Sequence, residues 1–228
     1  MEGAAGPTAD QLFKIIVIGD YAVGKTSLIR RYSEGFFTPN YKLTIGADFA
    51  TKVLEWESGA KITLQLWDIA GHERFGHMTH VYYKYAIAAV IVFDMTRPAT
   101  FDSVIKWLND VNNKVMLPDG KPVPVMLLAN KADMSDKSVY KQKLDDFCKE
   151  HGLIGWFATS AKNNANIDQA MNFLVGSVIQ ISKRAPAELV KSPIEEFVRL
   201  SGNDIPTREQ RQANNANDPM KQLGQCCS

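Results

Sequence analysis

Residues 19–26 read GDYAVGKT, and this stretch limits the possible folds of the chain more than any other. Its spacing, G-x4-G-K-T, is typical of the loop with which nucleotide hydrolases hold phosphate groups. The apolar run 12–18 predicts a buried strand before the loop, and the residues after it predict the start of a helix. Such a loop aims successive backbone N–H groups into one concavity at the positive end of the helix. The predicted phosphate site comprises Tyr21, Ala22, Val23, Gly24, Lys25, Thr26 and Ser27.

Two motifs together predict a magnesium site. In the loop, Lys25 is expected to reach the β- and γ-phosphates, and the Thr26 hydroxyl to supply one ligand to Mg²⁺. A second motif, DIAG, begins at Asp68 directly after the apolar run 62–67. A carboxylate there can hold Mg²⁺, and Gly71 can let a backbone N–H approach the terminal phosphate.

Composition narrows the class of protein. With 228 residues, 45% of them hydrophobic and 22% charged, the chain suits one globular domain and a tail. Its formal net charge of +1 gives no reason to expect nucleic acid as a partner. No apolar run is long enough for a membrane-spanning helix and no signal peptide is recognisable, so neither is predicted. Cys148 stands alone in a predicted helix and is expected to be a core residue.

Apolar strands alternate with amphipathic helical stretches along the chain. This alternation predicts an α/β fold with a mostly parallel six-stranded sheet and helices on both faces, and the GDYAVGKT motif indicates the P-loop NTPase type of that fold. In the stretch 49–57, before Ser58 and Gly59, apolar residues alternate with polar ones. This pattern predicts an edge hairpin. Ligands of such sheets bind at the carboxyl ends of the strands. The predicted strands are 12–18, 48–56, 61–67, 87–94, 123–129 and 154–159, and the predicted helices 24–33, 76–85, 99–115, 138–151 and 166–183.

The motif NKAD at 130–133 follows the most apolar strand and predicts recognition of guanine. The Asp133 carboxylate can accept hydrogen bonds from the ring N–H and the exocyclic amine of guanine, a pair of donors that adenine lacks. Asn130 can bridge two loops and contact the base, while the stem of Lys131 can pack on its face. After the last strand, TSAK places further backbone N–H groups near the base. The residues expected there are Ser160, Ala161 and Lys162.

Taken in order, GDYAVGKT, TIGADF, WDIAGHERF, NKAD and TSAK resemble the motifs of the Ras-like small GTPases, and within them of the Rab family. The resemblance covers residues 12 to about 183 and the terminal cysteines. WDIAG, KVMLPDGKPVPVMLLANK and FCKEHG look like the Rab branch that serves lysosome-related organelles and phagosomes. The resemblance implies the small GTPase fold, GTP or GDP as the bound nucleotide and Mg²⁺ as cofactor.

The resemblance also implies roles for particular residues. Phe37 is expected to stack near the guanine, Tyr41 to cover the phosphates, and Thr44 to bind Mg²⁺ and the γ-phosphate. Residues 34–48 and 68–85 correspond to the two switch regions of the family. The effector surface implied by the resemblance contains Ile45, Gly46, Ala47, Asp48, Phe49, Trp67, Phe75 and Tyr82. The implied partners are an exchange factor, a GTPase-activating protein, an escort or dissociation-inhibitor protein, and effectors that bind the GTP state.

Three residues depart from the family pattern. His72 stands where the family usually has the glutamine that orients the attacking water, and it is the expected catalytic residue together with Lys25. Tyr21 and Ala22 stand where many relatives have small residues or glycine, and Ala22 needs a negative φ or mild strain. These departures predict slow hydrolysis and leave nucleotide binding largely unaffected.

Beyond residue 184 the composition changes to that of a linker, and residues 1–11 also look flexible. The domain is therefore expected to span 12–183 and the flexible tail 184–228. An apolar cluster at 194–200 either docks on the domain or an escort protein, or has no partner. Cys226 and Cys227 resemble the Rab site that receives two prenyl groups, which predicts attachment to a membrane.

The sequence is thus most consistent with a membrane-anchored GTP/GDP switch that directs vesicle or organelle trafficking. Its expected place is the cytoplasmic face of endosomal, phagosomal or lysosome-related membranes, in exchange with cytosol. One alternative is a GTP-binding membrane scaffold that barely hydrolyses its nucleotide. A metabolic kinase with a phosphate loop fits less well, because NKAD and TSAK would then have no role.

Overall fold

A computed structural model describes residues 11–56, 59, 61–71, 79–135 and 140–184 of the chain. The chain divides into two units, Met1–Val190 and Lys191–Ser228, and all described residues lie in the first. Several predictions fall outside the described residues: the flexible N-terminal segment up to residue 10, His72, Phe75, the apolar cluster at 194–200, Cys226 and Cys227. The division into domain and tail stays a prediction.

Six strands form one sheet in the order β2-β3-β1-β4-β5-β6. All neighbouring pairs are parallel except β2 and β3, which are antiparallel and place β2 at one edge. The predicted mostly parallel sheet is confirmed, and so is the antiparallel pairing expected of an edge hairpin. The strands are β1 (Gln11–Ile18), β2 (Ala47–Glu55), β3 (Lys61–Ile69), β4 (Ala88–Asp94), β5 (Val125–Asn130) and β6 (Gly155–Ala158).

Helices cover both faces of this sheet, because side chains of the central strands alternate between two buried layers. Ile15 and Val17 of β1 contribute to one layer, and Ile16 and Ile18 contribute to the other. The first layer is closed by α1 and α6, the second by α2, α3, α4 and α5. Cys148 is buried in the second layer, as predicted. The helices are α1 (Lys25–Glu34), α2 (Thr79–Tyr83), α3 (Pro98–Asp102), α4 (Val104–Lys114), α5 (Lys141–His151) and α6 (Ile167–Arg184).

Several predicted bounds differ from the observed ones by one to three residues, and two differences have a visible cause. The single helix expected over 99–115 is split at Ser103 into α3 and α4. The hydroxyl of Ser103 donates to the carbonyl of Ala99, which is also the acceptor of the ordinary helix bond from the Ser103 N–H, and this competition of a serine side chain disfavours a continuous helix. Strand β3 also continues past Trp67, since Asp68 pairs with Asp48 on one side and Val17 on the other.

The fold gathers the predicted motifs at one edge. The GDYAVGKT loop follows β1, DIAG begins within the last residues of β3, NKAD begins at the last residue of β5, and TSAK follows β6. Because β1, β3, β4, β5 and β6 are parallel, their carboxyl ends meet there, as expected for a ligand site. Among the described residues, no helix combines the length and apolar character needed to cross a membrane.

Candidate functional site

The phosphate loop between β1 and α1 takes a backbone conformation that favours glycine. Gly24 has φ 100°, and a Cβ there would lie 2.4 Å from Nδ2 of Asn130, so the position excludes a side chain. Ala22 has φ 57°, in the left-handed region. Of the two options left open by the sequence, Ala22 therefore takes the strained one, which costs an alanine roughly 1 kcal/mol.

Lys25 lies buried beneath the loop that it follows. Its Nζ donates to the carbonyl oxygens of Gly19 at 2.8 Å and Asp20 at 2.9 Å. Burial lowers the pKa of Lys25 to about 8, although the carboxylates of Asp68 and Asp20 act in the opposite direction. The ammonium group is thus partly desolvated in advance, which strengthens its attraction to a phosphate.

Three oxygen ligands predicted for the metal converge beside Lys25. The hydroxyl of Thr26 lies 2.9 Å from the hydroxyl of Thr44 and donates to Oδ2 of Asp68 at 2.5 Å. The hydroxyl of Thr44 lies 3.4 Å from the same Oδ2. These residues come from α1, from the segment before β2 and from β3, so only the folded chain brings them together.

The residues at this point fit a magnesium ion. Asp68 is 3% exposed, and its Oδ1 is buried without a hydrogen-bond partner. Burial raises the pKa of Asp68, against hydrogen bonds from Thr26 and Thr44 that act to lower it. Within the described residues no group of three or more His, Cys, Asp or Glu could hold a metal. One carboxylate with hydroxyl groups matches Mg²⁺, which is usually bound by one or two carboxylates together with substrate phosphates and water.

Gly71 brings the end of the DIAG motif against the phosphate loop. A Cβ on Gly71 would lie 2.4 Å from the backbone N of Tyr21 and 2.7 Å from the carbonyl carbon of Asp20. No side chain fits at that distance, so the approach of the two backbones requires glycine. The expected proximity of Gly71 to the phosphate site is therefore present in the fold.

The two loops expected to bind the base lie side by side. Nδ2 of Asn130 donates to the carbonyl of Val23 at 2.8 Å, which is the bridge between loops expected from the sequence. The hydroxyl of Ser160 donates to Oδ1 of Asp133 at 2.6 Å, and Nζ of Lys162 lies 4.0 Å from its Oδ2. The carboxylate of Asp133 is thus oriented from the TSAK loop. Its role in recognising guanine stays a prediction.

An apolar surface borders the site along β2 and β3. The rings of Phe49 and Trp67 stack with their centroids 5.5 Å apart, and Ile45 is 87% exposed at the start of this surface. Nζ of Lys14 lies 3.8 Å from the centroid of the Trp67 ring. Tyr82 packs against the core nearby, with its hydroxyl 3.4 Å from the position of a Cβ on Gly46.

Other predicted residues are placed without a contact that tests their roles. Phe37 is half-buried against the core, and Tyr41 is exposed. Val23 is buried and Ser27 half-buried at the start of α1. Nζ of Lys131 forms an ion pair with Asp94 at 2.7 Å. The switch residues Ala47 and Asp48 are half-buried on β2, beside β3.

Sequence reasoning missed residues that hold the loops from behind. On α1, Arg31 donates through Nε to the carbonyl of Ala161 and through a terminal nitrogen to that of Lys162, which positions the TSAK loop. Nothing in the sequence near Arg31 indicates this contact. The carboxylate of Asp94 lies at the end of β4, and a polar residue ending an apolar strand was the available signal.

Comparison with known proteins identifies the family. The model of the Ras family matches residues 14–180. The chain belongs to the Ras family. Rab-32B of Dictyostelium discoideum is 60% identical over 75% of this chain and 66% of that relative. Mouse Rab-32 is 54% identical over 81% of this chain and 83% of its own, and rat Rab-7L1 is 51% identical over 76% and 85%. The predicted resemblance to the Rab family and the small GTPase fold are thereby confirmed. GTP binding and GTP hydrolysis are the shared activities of this family.

Proposed function

We propose that this chain is a GTP/GDP switch in which bound nucleotide controls the segment before β2. The main support for this proposal is the position of Thr44, whose hydroxyl lies beside Thr26 and Asp68. Residues 36–45 have no regular secondary structure, so few backbone hydrogen bonds oppose their rearrangement. A contact that exists only with a γ-phosphate and metal would hold this segment, and its loss on hydrolysis would release it.

Each residue has a defined task in this proposal. Lys25 neutralises phosphate charge, the loop 19–24 supplies backbone N–H groups, and Asp133 selects the base. Thr26, Thr44 and Asp68 would hold Mg²⁺, which when bound neutralises charge on the phosphates. The exposed side chains of Ile45 and Phe49 continue directly from Thr44, so a change at the nucleotide would alter the surface offered to effectors.

Hydrogen exchange tests the switch. The protein is loaded with GDP or with a non-hydrolysable GTP analogue, in the presence of Mg²⁺. Amides of 36–46 should exchange more slowly with the analogue, whereas those of α5 should exchange equally in both states. Equal exchange of 36–46 in the two states would overturn the proposal.

We further propose that hydrolysis is slow without an activating protein. Support comes from the sequence at position 72 and from Tyr21, whose side chain is 55% exposed on the phosphate loop. An amide can donate to the phosphate side while accepting from the attacking water. The donor and acceptor of a neutral imidazole lie on opposite ring edges, and an imidazolium has no acceptor.

The substitution His72→Gln tests this idea in a single-turnover assay on GTP-loaded protein. The rate should rise roughly tenfold to a hundredfold, because a positioned amide would lower the barrier by about 1.4–2.7 kcal/mol. His80→Gln is the matched control, since His80 is exposed on α2. A rate that stays at the parent value would show that another feature, such as Tyr21, limits hydrolysis.

The cellular role proposed is the direction of vesicle or organelle trafficking from a membrane surface. Support comes from the relatives in the Rab family and from the two cysteines near the end of the sequence. Exchange factors, activating proteins, an escort protein and effectors are the partners this role requires. The alternative, a scaffold that barely hydrolyses GTP, differs in one measurement: an activating protein from cell extract should accelerate hydrolysis in a switch only.

A further inference from the structure

Arg97 links two loops that the motifs do not connect. It lies three residues after the end of β4, and its terminal nitrogen donates to the carbonyl of Tyr21 in the phosphate loop at 2.9 Å. Its Nε donates to Oδ2 of Asp94 at 2.9 Å, and its guanidinium carbon lies 5.5 Å from the centroid of the Tyr21 ring. One side chain thus holds the backbone of Tyr21 and covers its ring.

The carboxylate of Asp94 joins this arrangement to the base-binding loop. Asp94 is 0% exposed, and its Oδ2 also accepts from Nζ of Lys131 at 2.7 Å. Its Oδ1 accepts from the backbone N–H and the hydroxyl of Thr96. Burial acts to raise the pKa of Asp94, but hydrogen bonds from Lys131, Thr96 and Arg97 outweigh it and hold the pKa below its ordinary value. A buried charge satisfied by so many donors has little freedom to move.

The contact with Tyr21 fixes the direction of the next N–H group. The chain contains no cis peptide bond among its described residues, and in a trans peptide the C=O and the following N–H point in opposite directions. A Tyr21 carbonyl held towards Arg97 therefore turns the N–H of Ala22 away from Arg97. The φ of Ala22 is 57°, a value that is unfavourable for alanine. The hydrogen bond to Tyr21 therefore offsets a backbone strain that a glycine at position 22 would not carry.

We propose that Arg97 is a positioning residue for the phosphate loop, which orients the Ala22 N–H for the nucleotide and ties this loop to the base-binding loop through Asp94. The inference rests on the proposed nucleotide site and adds a residue that no motif contains. Arg31 performs the corresponding task for the TSAK loop, through the carbonyls of Ala161 and Lys162. Among the described residues, Arg97 thus contacts the phosphate loop directly and Arg31 contacts the TSAK loop directly.

Comparing GDP with GMP separates the effects of these two contacts. Phosphate-loop N–H groups hold the α- and β-phosphates, so GMP keeps the base and the α-phosphate but lacks the β-phosphate contacts that GDP makes. Arg97→Ala should weaken GDP binding on the order of tenfold and leave GMP binding within about twofold, as expected for loss of a charge-assisted hydrogen bond. Arg31→Ala should weaken GDP and GMP by the same factor. Lys106→Ala, at an exposed position of α4, should change neither.

The measurements are competition against a fluorescent GDP analogue with Mg²⁺, and the dissociation rate of that analogue. The ¹⁵N–¹H resonance of Ala22 gives an independent reading, and its shift on GDP binding should shrink in Arg97→Ala. Arg97→Lys should restore part of the affinity, because a single ammonium can reach either the Tyr21 carbonyl or Asp94. It also serves as the milder variant should Arg97→Ala not fold.

Three outcomes overturn the inference: equal losses for GDP and GMP in Arg97→Ala, no loss in either arginine-97 variant, or an unchanged Ala22 shift. A lower melting temperature with an unchanged ratio of GDP to GMP affinity would likewise show a merely structural role. Failure of the parent protein to bind GDP would instead overturn the proposed function. The two failures are therefore distinguishable in the same experiment.

Discussion

At the scale of single residues, burial shifts the pKa of two charged groups of the site away from its ordinary value. Lys25 is desolvated beneath the loop, and Asp68 keeps a buried oxygen without a partner. Asp133 instead keeps its carboxylate oriented by the hydroxyl of Ser160. The first two arrangements store an unfavourable free energy that a bound metal and phosphate would relieve, so these residues respond most directly to the nucleotide.

Replacing Asp133 should change the base preferred by the protein. Asp133→Asn removes a charged acceptor that faces two donors of guanine, which should cost about 2–4 kcal/mol of GTP affinity. Xanthosine triphosphate should gain relative to GTP, because xanthine carries an oxygen in place of the exocyclic amine. Competition binding measures both effects, and an Asp133→Asn protein that binds GTP like the parent would show that the base is recognised elsewhere.

Affinity for GDP should fall as pH rises above 8. The pKa of Lys25 is lowered to about 8, so the nucleotide-free protein loses the proton that a bound phosphate retains. If the bound pKa lies well above 9, affinity at pH 8.5 should be about fourfold weaker than at pH 7. Calorimetry in two buffers of different ionisation enthalpy should then show proton uptake at pH 8.5 and almost none at pH 7.

The control for this pH dependence is Lys14, whose pKa is also lowered to about 8 by burial. Lys14 lies over the ring of Trp67, away from the phosphate loop. The variant Lys14→Met should therefore keep the proton uptake seen with the parent. Disappearance of the proton uptake in that variant would show that the titrating group is Lys14 and not Lys25.

At the scale of elements, the segment between α1 and β2 and the end of β3 form two flanks of the site. Thr44 belongs to the first flank and Gly71 to the second. Both flanks lie against residues of the phosphate loop or of α1, and both continue into the apolar surface of Phe49 and Trp67. A nucleotide bound between them is therefore well placed to change that surface.

Thr44 should be required for the GTP state alone. Thr44→Ala should weaken binding of a GTP analogue on the order of tenfold relative to GDP, because it removes a ligand of metal and γ-phosphate. Thr38→Ala is the matched control, since the Thr38 hydroxyl lies in the same segment and, within the part of the chain that the structure describes, accepts from the N–H of Asn40. Equal losses for both nucleotides in Thr44→Ala would contradict the proposed switch.

At the scale of the whole molecule, a nucleotide-binding domain is expected to work at a membrane. The charges of residues 184–228 balance, with six basic and six acidic side chains, so electrostatic attraction to anionic lipid is not expected to hold the chain there. Attachment would then depend on lipid groups at Cys226 and Cys227. Two prenyl chains suffice without charge, whereas one gives marginal binding.

Replacing both terminal cysteines by serine should leave the protein in the soluble fraction with unchanged GDP affinity. A single replacement should give partial membrane attachment, because one lipid chain binds reversibly. Cell fractionation and nucleotide binding are measured on the same preparations, with Cys148→Ser as the control for loss of a cysteine. A double variant that stays with membranes would point to a protein receptor or to the apolar cluster at 194–200.

The sequence by itself determined how strands and helices follow one another along the chain, and where each motif lies among them. These features are local: the spacing G-x4-G-K-T fixes one turn before one helix, and uninterrupted apolar runs fix buried strands. The ends of elements were less certain, since the break at Ser103 depends on a hydroxyl competing with the helix backbone.

Only the tertiary structure decided which residues support the motifs. Arg97 meets Tyr21 across 76 residues, and Arg31 meets Ala161 across 130. Both contacts depend on the order of strands, because β4 lies between β1 and β5 and so places Asp94 between the phosphate loop and the base-binding loop. The sign of φ at Ala22 was open for the same reason: a backbone strain persists only where surrounding contacts hold it, and those contacts come from distant parts of the chain.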